Sequence, residues 1–307
     1  MIPNLGYISE AAASIVDRHL GLHMVPRTEV VELASEAFHY GFWTKKAAKK
    51  SGSFPPKIGS FQIFVKGFLD SGRQLPKIDS CDTTESSQDK NLEFRYDFEK
   101  LIILDYIIRN TDRGSDNWLV FHSSLSGYPG AGSGDELTKF ADDTSAVLHT
   151  KIAAIDNGLA FPHKHPDNWR SYPFGWASLP GAKVPFSKEI IDLYLPVLSD
   201  HMHVEQLVVK LKRCFSLDVD FDEDLFQRQM AVVRGQIHNL VECLSRGESP
   251  AELLKKPLIR VYVKDDDDGG DVTSGTAIPI NQSESVGSRT RRFFVELVKK
   301  RPYFKCC

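Results

Sequence analysis

The chain has 307 residues, 41% hydrophobic and 26% charged, an ordinary globular composition with room for about two domains or lobes. Its formal net charge of −3 argues against nucleic-acid binding that relies on a globally positive surface. No apolar run reaches the roughly 18 residues that span a bilayer, and "LIILDYII" is broken by Asp105.

The opening "MIPNLGYISE" lacks the charged and apolar regions of a secretory signal. Five cysteines, Cys81, Cys214, Cys243, Cys306 and Cys307, show no metal-ligand spacing, so a reducing, cytosolic-side protein is expected. "ISEAAASIVDRHLGLH" predicts a helix, with Ser9 as cap, Glu10 in the first turn and Gly21 as the left-handed stop. "IGSFQIFVKGF" alternates, placing Phe61, Ile63 and Val65 on one face of a strand that ends at Gly67. Residues 70–91 are polar and rich in turn formers, which predicts a loop.

"LEFRYDFEKLIILDYIIRN" predicts a long helix, amphipathic at first and then apolar nearly all round, as in a buried helix. "FHSSLSGYPGAGSGDELTKFADD" has the composition of a flexible excursion, and "VLHTKIAAIDNGLAF" returns to a strand stopping at Asp156-Asn157-Gly158. Helices are expected after Phe186, in "SKEIIDLYLPVLSD", "HVEQLVVKLKRCF" and "FDEDLFQRQMAVVRGQIHNLVECL". The last puts Phe226, Met230, Val233, Ile237, Leu240 and Leu244 on one stripe. From about Asp265, beginning "KDDDDGGDVTSG", disorder is expected.

In "IIRNTDRGSDNWLV" four polar groups, Asp112, Arg113, Asp116 and Asn117, lie between two apolar segments. Such groups must be solvated, paired or bound to metal, so the stretch is either a polar turn or a site. A second apolar run, "IAAIDNGLAF", delivers Asp156 downstream. Phosphoryl transfer uses such parts: an Asp to orient the attacking hydroxyl, an Asn to hold metal and a separate Asp to bind the Mg²⁺ on the phosphates. Asp112 and Asn117 have four residues between them, the kinase separation of base and Asn, and Asp156-Asn157-Gly158 stands where Asp-Phe-Gly would.

"LDYIIRNTDRGSDNWLV" with "IAAIDNGLAFPHKHPDNWRSYPFGWASLP" resembles a type II phosphatidylinositol 4-kinase. The resemblance runs from "YISEAAASIVD" through "PRTEVVELASEAF" and "PPKIGSFQIFVKGF" to "AVVRGQIHNL", residues 7 to about 245. It implies a protein-kinase-like lipid kinase fold of α/β (α+β) class, with an incomplete N-terminal lobe and a mostly helical C-terminal lobe. The divisions expected are 1–68, a remnant of the N-terminal lobe with the hinge strand; 69–245, the C-terminal catalytic lobe; and 246–307, an extension largely without order. The implied activity is ATP- and Mg²⁺-dependent phosphorylation of phosphatidylinositol to phosphatidylinositol 4-phosphate.

On the resemblance, Asp112 is the catalytic Asp, Arg113 stabilises phosphate charge, and Asn117 and Asp156 hold Mg²⁺, Asp156 beside the ATP phosphates. Gln62, Ile63, Phe64 and Val65 are the hinge whose backbone meets adenine; from the residues alone they read as a core strand. Trp169, Arg170, Tyr172, Phe174 and Trp176 alternate aromatics with a cation, which suits a bilayer interface or a packed segment. The resemblance favours a membrane-facing activation loop. Its partners are then phosphatidylinositol in a membrane and an anionic lipid surface, at the cytosolic face of Golgi, endosomal or plasma membranes, peripherally attached. A zinc site at His163 and His165 is not expected, since no Cys or third His accompanies them.

The 307 residues carry neither the glycine-rich loop and lysine of such kinases nor the family's palmitoylated CCPCC stretch. Little or no turnover by these residues alone is therefore expected, from a truncated product or incomplete gene model; the alternative is a catalytically inactive membrane-associated interaction module or splice form. Cys306 and Cys307, with "VKKR" nearby, are either an unmodified end or a doubly lipidated one.

Overall fold

Leu101, Ile102, Ile103, Leu104, Ile107 and Ile108 are all fully buried, and the helix that carries them, α4 (Glu85–Ile108), is the spine of the molecule. The computed structural model describes residues 5–79, 85–122, 150–162, 174–265, 278–286 and 289–297. One apolar core joins α4 to α1 (Gly6–Leu20), α5 (Lys188–Ser199), α6 (His201–Phe215) and α7 (Glu223–Ser245). The α7 stripe from Phe226 to Leu244 is buried in that core as its spacing predicts.

Capping sets several of the boundaries. Gly21 adopts φ +67° and closes α1, as expected. Ser9 does not cap α1: it lies inside the helix, buried, and its Oγ donates to the Ala160 carbonyl at 3.1 Å. Asp200 accepts from the Met202 and His203 amides at the start of α6, and Asp222 from Leu225 at the start of α7.

β1 (Thr28–Leu33) and β2 (Lys57–Gln62) pair antiparallel, with Thr28 opposite Gln62, and α2 (Phe42–Ser51) lies in the connection between them. The β2 strand ends at Gln62 rather than running to Gly67. The Ile63 amide makes a last bond to the Arg27 carbonyl at 3.0 Å, and next along the first strand stands Pro26, which has no N–H to continue the ladder. Gly67, at φ +80°, then turns the chain into β3 (Leu69–Asp70).

Residues 71–79, expected to be loop, form α3 (Ser71–Asp79), and α4 begins at Glu85. Asp70, read as a turn former, accepts the Gly72 amide at 2.7 Å and starts the helix. Ser71 is buried and donates to the Ser115 carbonyl at 2.6 Å, which ties α3 to the polar loop. β3, β4 (Trp118–His122) and β5 (Thr150–Ala154) form a second antiparallel sheet with β4 in the centre.

The C-terminal extension departs from expectation, since α8 (Pro250–Leu253) and a three-stranded sheet lie within it. β6 (Ile259–Asp265) and β7 (Ile278–Val286) flank β8 (Arg289–Leu297). Ile259 and Val261 are buried, and β6 lies against α7 so closely that a Cβ on Gly235 would sit 2.0 Å from the Ile259 carbonyl. Only glycine permits that approach. The run of acidic and glycine residues after Asp265 lies outside the described residues.

Candidate active site

Antiparallel pairing of β4 with β5 brings the two acidic motifs together. Trp118 stands opposite Ala154, so Asn117, just before β4, meets Ile155, just after β5; the Ile155 amide donates to the Asn117 carbonyl at 3.1 Å. Asp112 and Asn117 are half-buried and Asp156 is exposed. Asp156 takes φ +51° and Arg109 φ +48°, left-handed conformations that Asp accepts more easily than most side chains.

Arg113 organises the loop. It is 0% exposed, and its Nε donates to both oxygens of Asp105, each at 3.0 Å; Asp105 is itself 0% exposed. Nη1 donates to the Asn117 carbonyl and, at 2.6 Å, to the Ile155 carbonyl, while Nη2 donates to Asn157 Oδ1. Asp105 also accepts from the Trp176 indole at 3.0 Å. Burial raises the Asp105 pKa, and the two donors, Arg113 first, oppose that rise. One guanidinium thus fixes the ends of both strands and the residue after Asp156. The expectation that Arg113 stabilises phosphate is therefore corrected: it is buried and committed to protein acceptors.

Smaller contacts complete the loop. The Asn117 side-chain amide donates to the Asp112 carbonyl at 2.6 Å, and the Asp112 amide to Asn110 Oδ1 at 2.9 Å. Donation through Nδ2 leaves Oδ1, the atom a cation would take, on the other side of the Asn117 group. Thr111 bonds to the Leu159 carbonyl through both its amide and its hydroxyl, at 3.3 and 2.9 Å.

Phe174 and Trp176 are 3% and 0% exposed and stack at 4.8 Å. Their expected membrane contact is overturned, because they close over the Arg113–Asp105 pair. Gly175 between them donates to the Arg113 carbonyl at 2.8 Å, and a Cβ there would also lie 2.8 Å from that oxygen. Trp169, Arg170 and Tyr172, like His163 and His165, lie outside the described residues.

In the hinge segment, Gln62 donates to the Thr28 hydroxyl at 2.8 Å, and Phe64 is 83% exposed. The Ile63 N–H, held by Arg27, is not offered to a ligand, so any adenine contact falls to the other backbone groups of 62–65.

Glu10 was not foreseen as part of the site. From α1 its carboxylate faces the Asn157 and Gly158 amides beside Asp156, with Oε1 3.6 Å from where a Cβ on Gly158 would sit. Burial, and to a smaller degree the Asp156 charge, raise its pKa although those amides lower it. With a raised folded-state pKa, the native protein holds a proton that the unfolded chain has released, so Glu10 makes stability fall as pH rises through that window. Urea midpoints from pH 4 to 7 should thus decline in the wild type relative to Glu10→Gln; parallel curves would remove this assignment.

Oxygen donors from Asn117 and Asp156 suit Mg²⁺, which is held by one or two protein groups together with substrate phosphates. Among the described residues no group of three His, Cys, Asp or Glu could hold a metal by itself. None of the described helices is long and apolar enough to cross a membrane.

Residues 1–241 match the model of the phosphatidylinositol 3- and 4-kinase family, and the chain belongs to that family, whose kinase-like fold its mixed helices and strands share. More narrowly, it is similar to phosphatidylinositol 4-kinase type 2-beta of Danio rerio, 46% identical over 88% of this chain and 55% of the relative. The type 2-beta enzyme of Mus musculus and type 2-alpha of Xenopus laevis are each 44% identical over 85% of this chain, and over 58% and 57% of themselves. The chain spans little more than half the length of these relatives.

Proposed function

We propose that this chain carries the C-terminal half of a site that phosphorylates phosphatidylinositol at the inositol 4-hydroxyl with ATP and Mg²⁺. The observation behind this reading is the β4–β5 register, which sets Asn117 against Ile155, next to Asp156, while the Asn117 side chain holds the Asp112 carbonyl. Asp112 orients the inositol hydroxyl and accepts its proton, and Asn117 and Asp156 hold the cation through oxygen. Bound Mg²⁺ would supply positive charge to the ATP phosphates. Regiochemistry and substrate rest on similarity to the type 2 relatives. The chain would act peripherally at the cytosolic face of Golgi, endosomal or plasma membranes. In the activation segment Trp169, Arg170 and Tyr172 are the remaining candidates for lipid contact.

Mg-ATP at tenfold above its Kd should stabilise the protein by about 1.4 kcal/mol, raising Tm by about 2–3 °C. ATP with EDTA should give no rise. Asp156→Asn, which keeps a side chain tolerant of positive φ, should abolish the Mg-dependent part. Absence of any Mg-ATP shift in the wild type would favour an inactive interaction module instead.

A further inference from the structure

Of the ten residues of α2, "FWTKKAAKKS", only Ala48 is buried. Phe42 is 72% and Trp43 76% exposed, their rings in edge contact at 5.2 Å, and the Lys46 ammonium lies 5.9 Å from the Trp43 ring centre. At 3.6 residues per turn, Phe42, Trp43, Lys46 and Lys50 occupy an arc of about 100° opposite Ala48. Lys49 and Lys45 continue that arc on its Phe42 side, and no acidic residue interrupts it. The helix's own stability does not call for this composition. Lys49 and Lys50 suit the C-terminal end of the dipole, but Lys45, in the first turn, opposes it. Two large aromatics left in water beside four lysines need a partner that is apolar and negatively charged at once.

We propose that α2 is a membrane-interface helix that lies on an anionic bilayer, with Phe42 and Trp43 at headgroup depth. Lys46 and Lys50, with Lys45 and Lys49 along one side, meet lipid phosphates and carboxylates. Aromatic rings favour the headgroup level, and lysine stems lie along apolar surface while the ammonium stays with the headgroups. A net charge of −3 for the chain makes a local run of four lysines stand out. The assignment rests on the lipid-kinase reading only in that a lipid substrate requires a membrane-facing side.

The test is sedimentation of the full 307-residue chain with vesicles of phosphatidylcholine alone or with 30% phosphatidylserine. Binding is expected on the anionic vesicles, weaker on neutral ones and weakened by salt. Lys46→Glu/Lys50→Glu should reduce it more than tenfold, since each lysine near such a surface contributes about fivefold. Phe42→Ser/Trp43→Ser should reduce it comparably. The unfolding temperature of both variants should match the wild type, because these side chains face solvent. In a Trp169→Phe background anionic vesicles should also shift tryptophan emission to the blue, and adding Trp43→Phe should remove that shift, since Trp118 and Trp176 are already buried. Equal binding to both vesicle types, no binding to either, or wild-type binding by both double variants overturns the proposal. Sedimentation needs no turnover, so a chain without kinase activity would overturn the functional reading and leave this one standing.

Discussion

Arg113→Met should cost this protein about 3–5 kcal/mol of folding stability, the range for removing one partner of a buried ion pair. Among the described residues the Asp105 carboxylate would keep the Trp176 indole alone as a side-chain donor, in the core. The Asn117 and Ile155 carbonyls and Asn157 Oδ1 would lose their donor as well. Asp105→Leu should be destabilising for the complementary reason, an unpaired buried guanidinium. The double variant is the sharper test. Replacing both members of a buried pair by apolar groups is often neutral, but Arg113 also serves three other acceptors, so Asp105→Leu/Arg113→Met should stay well below wild type. It should nonetheless cost less than the two single changes added together. Urea unfolding of the four proteins measures this, and a cost under about 1 kcal/mol for Arg113→Met would refute the organising role given to it.

That role was half visible in the sequence. Asp105 interrupts an otherwise apolar helix, and a carboxylate placed there needs a cation; Arg113 lies eight residues on. What hid the pairing was the company Arg113 keeps, since an arginine beside a catalytic Asp looks like a phosphate ligand. Spacing within one motif identified Asp112 and Asn117 as candidates and a second motif downstream identified Asp156, yet only the register of β4 on β5 brings the two motifs together, and register depends on contacts between segments distant in sequence.

Phe174 and Trp176 were misread for a related reason. An aromatic run with interspersed cations has the same composition whether it faces lipid or core. The local clue was Gly175, a residue without a side chain where two backbones nearly touch. The run 70–91 failed in the opposite way, because Asp and Ser both start helices and make turns, and only the Asp70–Gly72 and Ser71–Ser115 bonds decide which. Conversely, the exposed Phe42 and Trp43 pass unnoticed in a sequence, where nothing marks α2 as a helix that buries a single alanine.

The largest effect expected concerns turnover. Asp112, Asn117 and Asp156 hold one side of the proposed site, and kinases hold the ATP phosphates from the other side with a glycine-rich loop and a lysine. A polypeptide of these 307 residues by itself supplies five residues ahead of α1, too few for such a loop and lysine, whatever segment precedes them in a longer protein. Removing one preorganised donor to developing charge typically costs about 10²–10³ in rate, so lacking a lysine and several loop amides should cost more than roughly 10⁴, even without strict additivity. We expect this chain alone to phosphorylate phosphatidylinositol at least 10⁴-fold more slowly than the intact Danio rerio relative, in the same mixed micelles. Joining the relative's segment that precedes the matching helix to Gly6 should recover most of that factor, because the Arg113 scaffold already fixes the ends of β4 and β5. Two results would count against this. Turnover within about tenfold of the relative by the 307 residues alone would mean that the phosphates need no such loop. No gain from the joined segment would mean that Asp112, Asn117 and Asp156 are not the half-site they resemble.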